Sequence, residues 1–196
     1  MALFQQSRVA GREAQLLLDD PASVFMSDWS RDGKFLLYHQ AAQKIYALPI
    51  EGDRKPILVV DAPFVKDQAQ FSPDTRWVAY NAIDSGRFEV YVTSFPSGSQ
   101  TAKVSSGGGV QPRWRSDGQE LFYLDLGGRM MAVDVTIGPS IEFGVPRVLF
   151  QTRVEPASYI DQYDVTRDGR RFFLIVPVGT STERPTHVVL NWRPNE

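Results

Sequence analysis

Four copies of one short hairpin pattern run through this chain, and they limit what it can fold into more than any other feature. In each copy a strand-like stretch ends in an aromatic or aliphatic residue, a four-residue turn built around aspartate follows, and apolar residues then alternate. The copies span residues 28–38, 70–80, 110–123 and 164–174. Their turns are Ser30-Arg31-Asp32-Gly33, Ser72-Pro73-Asp74-Thr75, Arg115-Ser116-Asp117-Gly118 and Thr166-Arg167-Asp168-Gly169. Hydroxyl and carboxylate side chains in such turns bond nearby backbone amides, and glycine supplies the positive φ that closes them. Thr75 stands where the other copies have glycine. A β-branched residue resists positive φ, so that turn is expected to be distorted or of another type.

The turn aspartates Asp32, Asp74, Asp117 and Asp168 are 42, 43 and 51 residues apart. A period of about 40–45 residues with four short strands per unit is the signature of a β-propeller blade. The fold class read from the chain is therefore all-β: a propeller of four-stranded antiparallel blades, four of them with parts of a fifth. The blades fall at about 21–60, 63–105, 109–152 and 157–192, within one propeller domain or propeller fragment over residues 1–196. In the first blade the strands are expected at 24–29, 34–39, 44–50 and 56–60. Residues 2–6 and 15–18 read as the third and fourth strands of a blade without its inner half. The third blade carries Met130–Val133 as third strand, then a long turn through Gly138-Pro139 and Gly144-Val145-Pro146 before its fourth strand at 148–150. The last blade ends at His187–Trp192 without an outer strand. Pairing of 15–18 beside 187–192 would leave no bare sheet edge there. No apolar stripe recurs at helical spacing.

Composition narrows the function. Hydrophobic residues make up 42% of the 196, charged residues 22%, and the formal net charge is −2. There is no basic field for nucleic acid or an anionic membrane. Cysteine is absent, which removes disulfides and thiolate chemistry. No apolar run approaches the ~20 residues that span a bilayer.

The segment 104–123, Val-Ser-Ser-Gly-Gly-Gly-Val-Gln-Pro-Arg-Trp-Arg-Ser-Asp-Gly-Gln-Glu-Leu-Phe-Tyr, resembles a blade of the WD40-like "PD40" repeats of TolB-type propellers. It is most similar to the propeller at the C-terminus of bacterial transmembrane serine/threonine kinases. Residues 163–169 and the ending Val188-Val189-Leu190-Asn191-Trp192 resemble that family's last blade. The resemblance implies a non-catalytic, extracytoplasmic scaffold that binds protein, peptide or a small ligand. Propellers of that family usually have more blades than this chain encodes.

Catalytic and metal signatures are missing. No phosphate loop, His-Arg-Asp or Asp-Phe-Gly sequence occurs, and Gly107-Gly108-Gly109 lacks the Lys-Ser/Thr of a phosphate loop. His39 and His187 are the two histidines, with no partner at ligand spacing in the sequence, so neither metal nor cofactor is expected. Candidate ligand residues come instead from the innermost strands. Immediately before Trp29, Phe71, Trp114 and Val165 lie Asp28, Gln70, Arg113 and Asp164; two residues earlier lie Met26, Gln68, Gln111 and Gln162; one earlier again lie Phe25, Asp67, Val110 and Asp161. The first two columns share a strand face by period two, so Gln68, Gln111, Gln162, Asp28, Arg113 and Asp164 are expected to line a ligand-binding axial mouth. Two other readings remain at this point. A carbohydrate-active propeller would use Asp28 and Asp164 as paired carboxylates, and an assembly piece would join its incomplete end blades between chains.

Overall fold

The computed structural model describes residues 1–9, 11, 13–40, 44–61, 66–84, 86–138, 140–177 and 186–189. The chain is all strand among these, in five antiparallel sheets. A two-stranded hairpin comes first, β1 (Ala2–Gln5) with β2 (Gln15–Asp19). A four-stranded sheet follows, β3 (Val24–Trp29), β4 (Phe35–Gln40), β5 (Lys44–Pro49) and β6 (Ile57–Asp61). The next is β7 (Lys66–Phe71), β8 (Trp77–Asp84), β9 (Arg87–Ser94) and β10 (Thr101–Lys103). Then come β11 (Val110–Trp114), β12 (Glu120–Leu124), β13 (Arg129–Ile137), β14 (Ile141–Phe143) and β15 (Arg147–Gln151). The last is β16 (Tyr163–Val165), β17 (Phe172–Pro177) and β18 (Thr186–Val189). Apart from β15, which pairs with β13, neighbouring strands in each sheet are sequential, the meander of a propeller blade.

The third sheet departs from expectation. β13 runs on to Ile137 and folds back into β14 before β15 returns to pair with β13. What reads in the sequence as one long turn is a small extra hairpin. The proposed pairing of 15–18 beside 187–192 is not formed among the described residues, where β2 pairs with β1 and β18 with β17; Leu190, Asn191 and Trp192 lie outside them.

Apolar faces of adjacent sheets pack on one another. Leu37, Ala47 and Phe35 of the first full sheet meet Phe71, Val78 and Tyr80 of the second. Trp77, Ala79 and Val92 of the second meet Trp114, Leu121 and Tyr123 of the third. Phe122, Leu124 and Met130 of the third meet Tyr163, Phe172 and Leu174 of the last. The second and third full sheets thus bury both faces against neighbours, which no lone sheet can do. One loop between blades hangs on a buried carboxylate. Burial opposes ionisation of Glu89, yet hydrogen bonds from Ser105, Arg87, Lys103 and the Gly108 N–H outweigh it and hold the carboxyl below its usual range. Gly109 is needed in that loop, because a Cβ there would meet the Tyr123 ring at 2.8 Å.

Three of the four repeat turns share one side-chain hydrogen-bond pattern. Ser30 Oγ donates to Asp32 Oδ1 (2.7 Å) and accepts from Phe35 N–H (2.9 Å). Ser72 and Asp74 repeat this with Trp77, and Thr166 and Asp168 with Arg171. In the third turn Arg115 takes the hydroxyl's place and binds Asp117. Contrary to expectation, Thr75 does not change the turn. It adopts φ 61°, close to Gly33 at 75°, and its N–H reaches Ser72 O at 2.9 Å as Gly33 N–H reaches Ser30 O at 2.9 Å. Its neighbours' hydrogen bonds outweigh the steric cost of left-handed backbone, about 1–2 kcal/mol. Gly33 has open space around its missing side chain, so Gly33→Ala isolates the backbone term. It should lower stability by about 1 kcal/mol, read as a shift in denaturant midpoint without a change in slope.

Candidate functional site

The inner strands β3, β7 and β11 each carry a bulge, between Met26 and Asp28, Asp67 and Gln70, and Val110 and Arg113. The extra residue defeats period-two counting. Gln68 and Gln111 sit in these bulges at φ 54° and 59°, and their side chains turn into the protein. Gln111 N–H donates to Gln68 Oε1 (3.1 Å), and Gln162 N–H donates to Gln111 Oε1 (2.7 Å). Gln111 Nε2 reaches Gln162 Oε1 and Ala157 O; Gln68 Nε2 reaches Ile160 O; Gln162 Nε2 reaches Glu155 O. Tyr163 donates its hydroxyl to Gln111 O at 2.8 Å. The three amides form a chain of ties from the second sheet to the last, and Gln111 is fully buried. Gln111 and Gln162, expected as ligand contacts, engage their side chains in interblade ties; Gln68 ties to both the third sheet and the loop before the last sheet and also walls the cavity described next.

The other candidates scatter. Asp28 Oδ2 accepts the Phe71 N–H of the next sheet at 2.8 Å, and burial raises its carboxyl above the usual value despite that bond. Asp164 is exposed and accepts its neighbour's Val165 N–H. Asp28 and Asp164 line different cavities. Arg113 is mostly buried and pairs with Asp161 at 2.8 Å.

The cavity at the axis has a volume of about 370 Å³. Phe25, Met26 and Ser27 of β3, His39 of β4, Asp67 and Gln68 of β7, Arg113 of β11 and the loop Tyr159–Asp161 line it. Phe25, Asp67 and Asp161 belong to the sequence column that was set aside, not to the two selected. His39 lies opposite Phe25 across β3 and β4, and their rings stack at 5.2 Å. Its Nδ1 is 3.2 Å from Ser27 Oγ and its Nε2 is 3.6 Å from Asp67 Oδ1. The acidic partner absent near His39 in the sequence arrives from the next sheet. Burial holds the imidazole below its ordinary value against the opposing pull of Asp67. Burial likewise raises the Asp67 carboxyl, with His39 and the Gln68 N–H working the other way. Phe25, Met26, Tyr159 and Ile160 are exposed around this polar floor. The His187 side chain is outside the described residues.

The shape of the chain matches TolB from Acinetobacter baumannii with a TM-score of 0.64 and 16% identity, over 92% of this chain and 44% of that one. It matches the β-propeller domain of Cps50 (Swd1) from Myceliophteria thermophila with a TM-score of 0.57 and 15% identity, over 90% of this chain and 61% of that one. The chain spans less than two thirds of either structure. The likeness is one of fold, a propeller of the TolB and WD40 type. No family model and no curated protein sequence matches the chain.

Two outcomes follow from this geometry. Gln111→Ala strands the Gln162 N–H and the Ala157 carbonyl and should cost about 2–4 kcal/mol, measured by denaturant unfolding. The unfolded chain takes up a proton at His39 near pH 6.5, before the native state does, so stability should fall as pH drops through that value. Asp67 acts with opposite sign in a lower window, from its raised native value down to 3.8, where the native state protonates first. His39→Phe keeps the stack on Phe25 and should flatten the melting temperature between about pH 7 and about pH 5.5.

Proposed function

We propose that this chain is a non-catalytic binding module and that its ligand is a segment of partner polypeptide presenting a lysine or arginine to the axial cavity. One observation carries the reading. Two carboxylates from separate parts of the fold, Asp67 and Asp161, meet in a cavity where Arg113 is the one permanent cation among the lining residues. With His39 held neutral by burial, Asp67 lacks a full counter-charge, and a buried unpaired carboxylate favours an incoming cation. Phe25 and Tyr159 at the rim suit the aliphatic stem and charged head of such a side chain. Arg113 orients Asp161 and leaves a lone pair of that carboxylate for the guest.

The blade resemblance extends this proposal to the parent protein: a single propeller unit over residues 1–196, outside the cytoplasm, attached to a kinase-like or TolB-like protein. No helix among the described residues is long and apolar enough to cross a membrane.

Selection from a displayed library of random linear peptides tests the site. Basic peptides should be enriched, and Asp67→Asn and Asp161→Asn should each weaken the selected peptides tenfold or more. Affinity should also fall as pH is lowered through the raised native value of Asp67, because bound cation requires the ionised carboxylate. Enrichment without basic residues, or binding indifferent to both variants, overturns the reading.

A further inference from the structure

Two junctions between full sheets follow one rule that the junction before the first full sheet breaks. The last residue of each innermost strand points back at the preceding sheet. Phe71 is 6% exposed under Phe35 and Leu37, and Trp114 is 8% exposed under Trp77 and Ala79. Their equivalent on β3, Trp29, is 53% exposed. The reason is topological. The unit preceding β3 consists of β1 and β2 alone, which read in the sequence as the third and fourth strands of a blade. Leu3, Leu17 and Leu18 of this hairpin cover the outer part of the first full sheet, against Leu36, Tyr38, Leu48 and Ile50. Nothing among the described residues takes the two inner places. A groove of about 420 Å³ remains there, lined by Phe4, Leu17, Met26, Asp28, Trp29 and Leu36 among others. Along it β1 pairs with β2 alone, so its inner edge offers free backbone N–H and C=O groups among the described residues.

We propose that this groove is a docking site for a polypeptide β-hairpin that fills the two inner places. Its second strand adds antiparallel to the edge of β1, and alternate apolar side chains of that strand cover Trp29 and Met26. The occupant is argued from continuity. The packing that would form repeats the interface already present twice in this chain, with Phe71 or Trp114 at the end of an inner strand against alternate residues of the neighbour's second strand. Strand addition of this kind draws affinity from main-chain hydrogen bonds and specificity from alternate side-chain pockets. It also removes an exposed sheet edge and an apolar patch, both liabilities for a lone chain. The site is separate from the charged floor of the axial cavity and does not depend on the function proposed for it.

The chain supplies its own probe. Residues 66–84 form the β7–β8 hairpin, whose Trp77 and Ala79 cover Trp114 in the groove's internal counterpart. A dye-labelled synthetic peptide of this sequence, titrated into the whole chain and read by fluorescence anisotropy, should bind saturably, while a scrambled peptide should not. Trp29→Ala and Phe4→Asp should each weaken binding tenfold or more. Both residues are more than half exposed, so the variants should melt with the parent protein. Asp161→Asn, which disables the axial floor, should leave peptide binding unchanged. Absence of saturable binding, or binding that survives both groove variants, overturns the proposal. So does self-association by light scattering that Trp29→Ala abolishes while the peptide fails to bind, since a second copy would then be the occupant.

Discussion

A twisted four-stranded sheet with apolar residues on both faces cannot stand alone in water, and this requirement organises the molecule. Every full sheet here needs a neighbour before and after it. Packing between sheets is therefore the main source of stability, through near-complete burial of residues such as Leu37, Val92 and Leu121. The aspartate turns serve that packing. They fix the register of each inner hairpin, so that Phe71, Trp114 and Phe172 arrive at the face that needs them. Hydrogen bonding from Ser30 holds the Asp32 carboxyl below its usual range, and Thr166 does the same for Asp168. These carboxylates are occupied in shaping the chain.

Apolar stacking is not directional, so something else must set how far the inner strands approach one another. The glutamine ties do so. Each uses a side-chain amide to copy the bond that a neighbouring strand would make, at the axis where strands of adjacent sheets are too divergent to pair. Placing Gln68 and Gln111 in left-handed backbone is costly for residues with a Cβ. The charge-free hydrogen bonds they gain in a buried setting offset that cost. The first full sheet has Met26 in place of a glutamine and no tie at that point. The cavity with His39, Asp67 and Asp161 opens beside it. The proposed binding site lies where the structural bonding of the axis is interrupted.

The sequence carried the fold plainly, because turn residues and period-two alternation are local signals. Strand bounds in the first full sheet fall within about one residue of those expected from Ser30–Gly33 and its flanks. The β14 hairpin was hidden by Gly138, Pro139 and Gly144, which mark turns without saying how many. The site was far less legible. One extra residue in each of β3, β7 and β11, Gln111 among them, moved whole columns off the face that simple alternation assigns. Asp67 lies 28 residues beyond His39 in the chain, and only the stacking of two sheets brings them together. Tyr159 and Ile160 come from a loop that carries no repeat signal at all.

The amide ties have a further consequence for motion. Gln111 bonds both Gln68 and Gln162, so opening the third sheet would have to break buried links to both of its neighbours, while the first sheet is held to the hairpin β1–β2 by apolar side chains and an exposed bond from Arg54 to Leu16 O. Amide protons should accordingly exchange slowest in the middle of the array and fastest toward its N-terminal flank. The molecule is built as a graded solid, stiff at its centre and yielding at one margin.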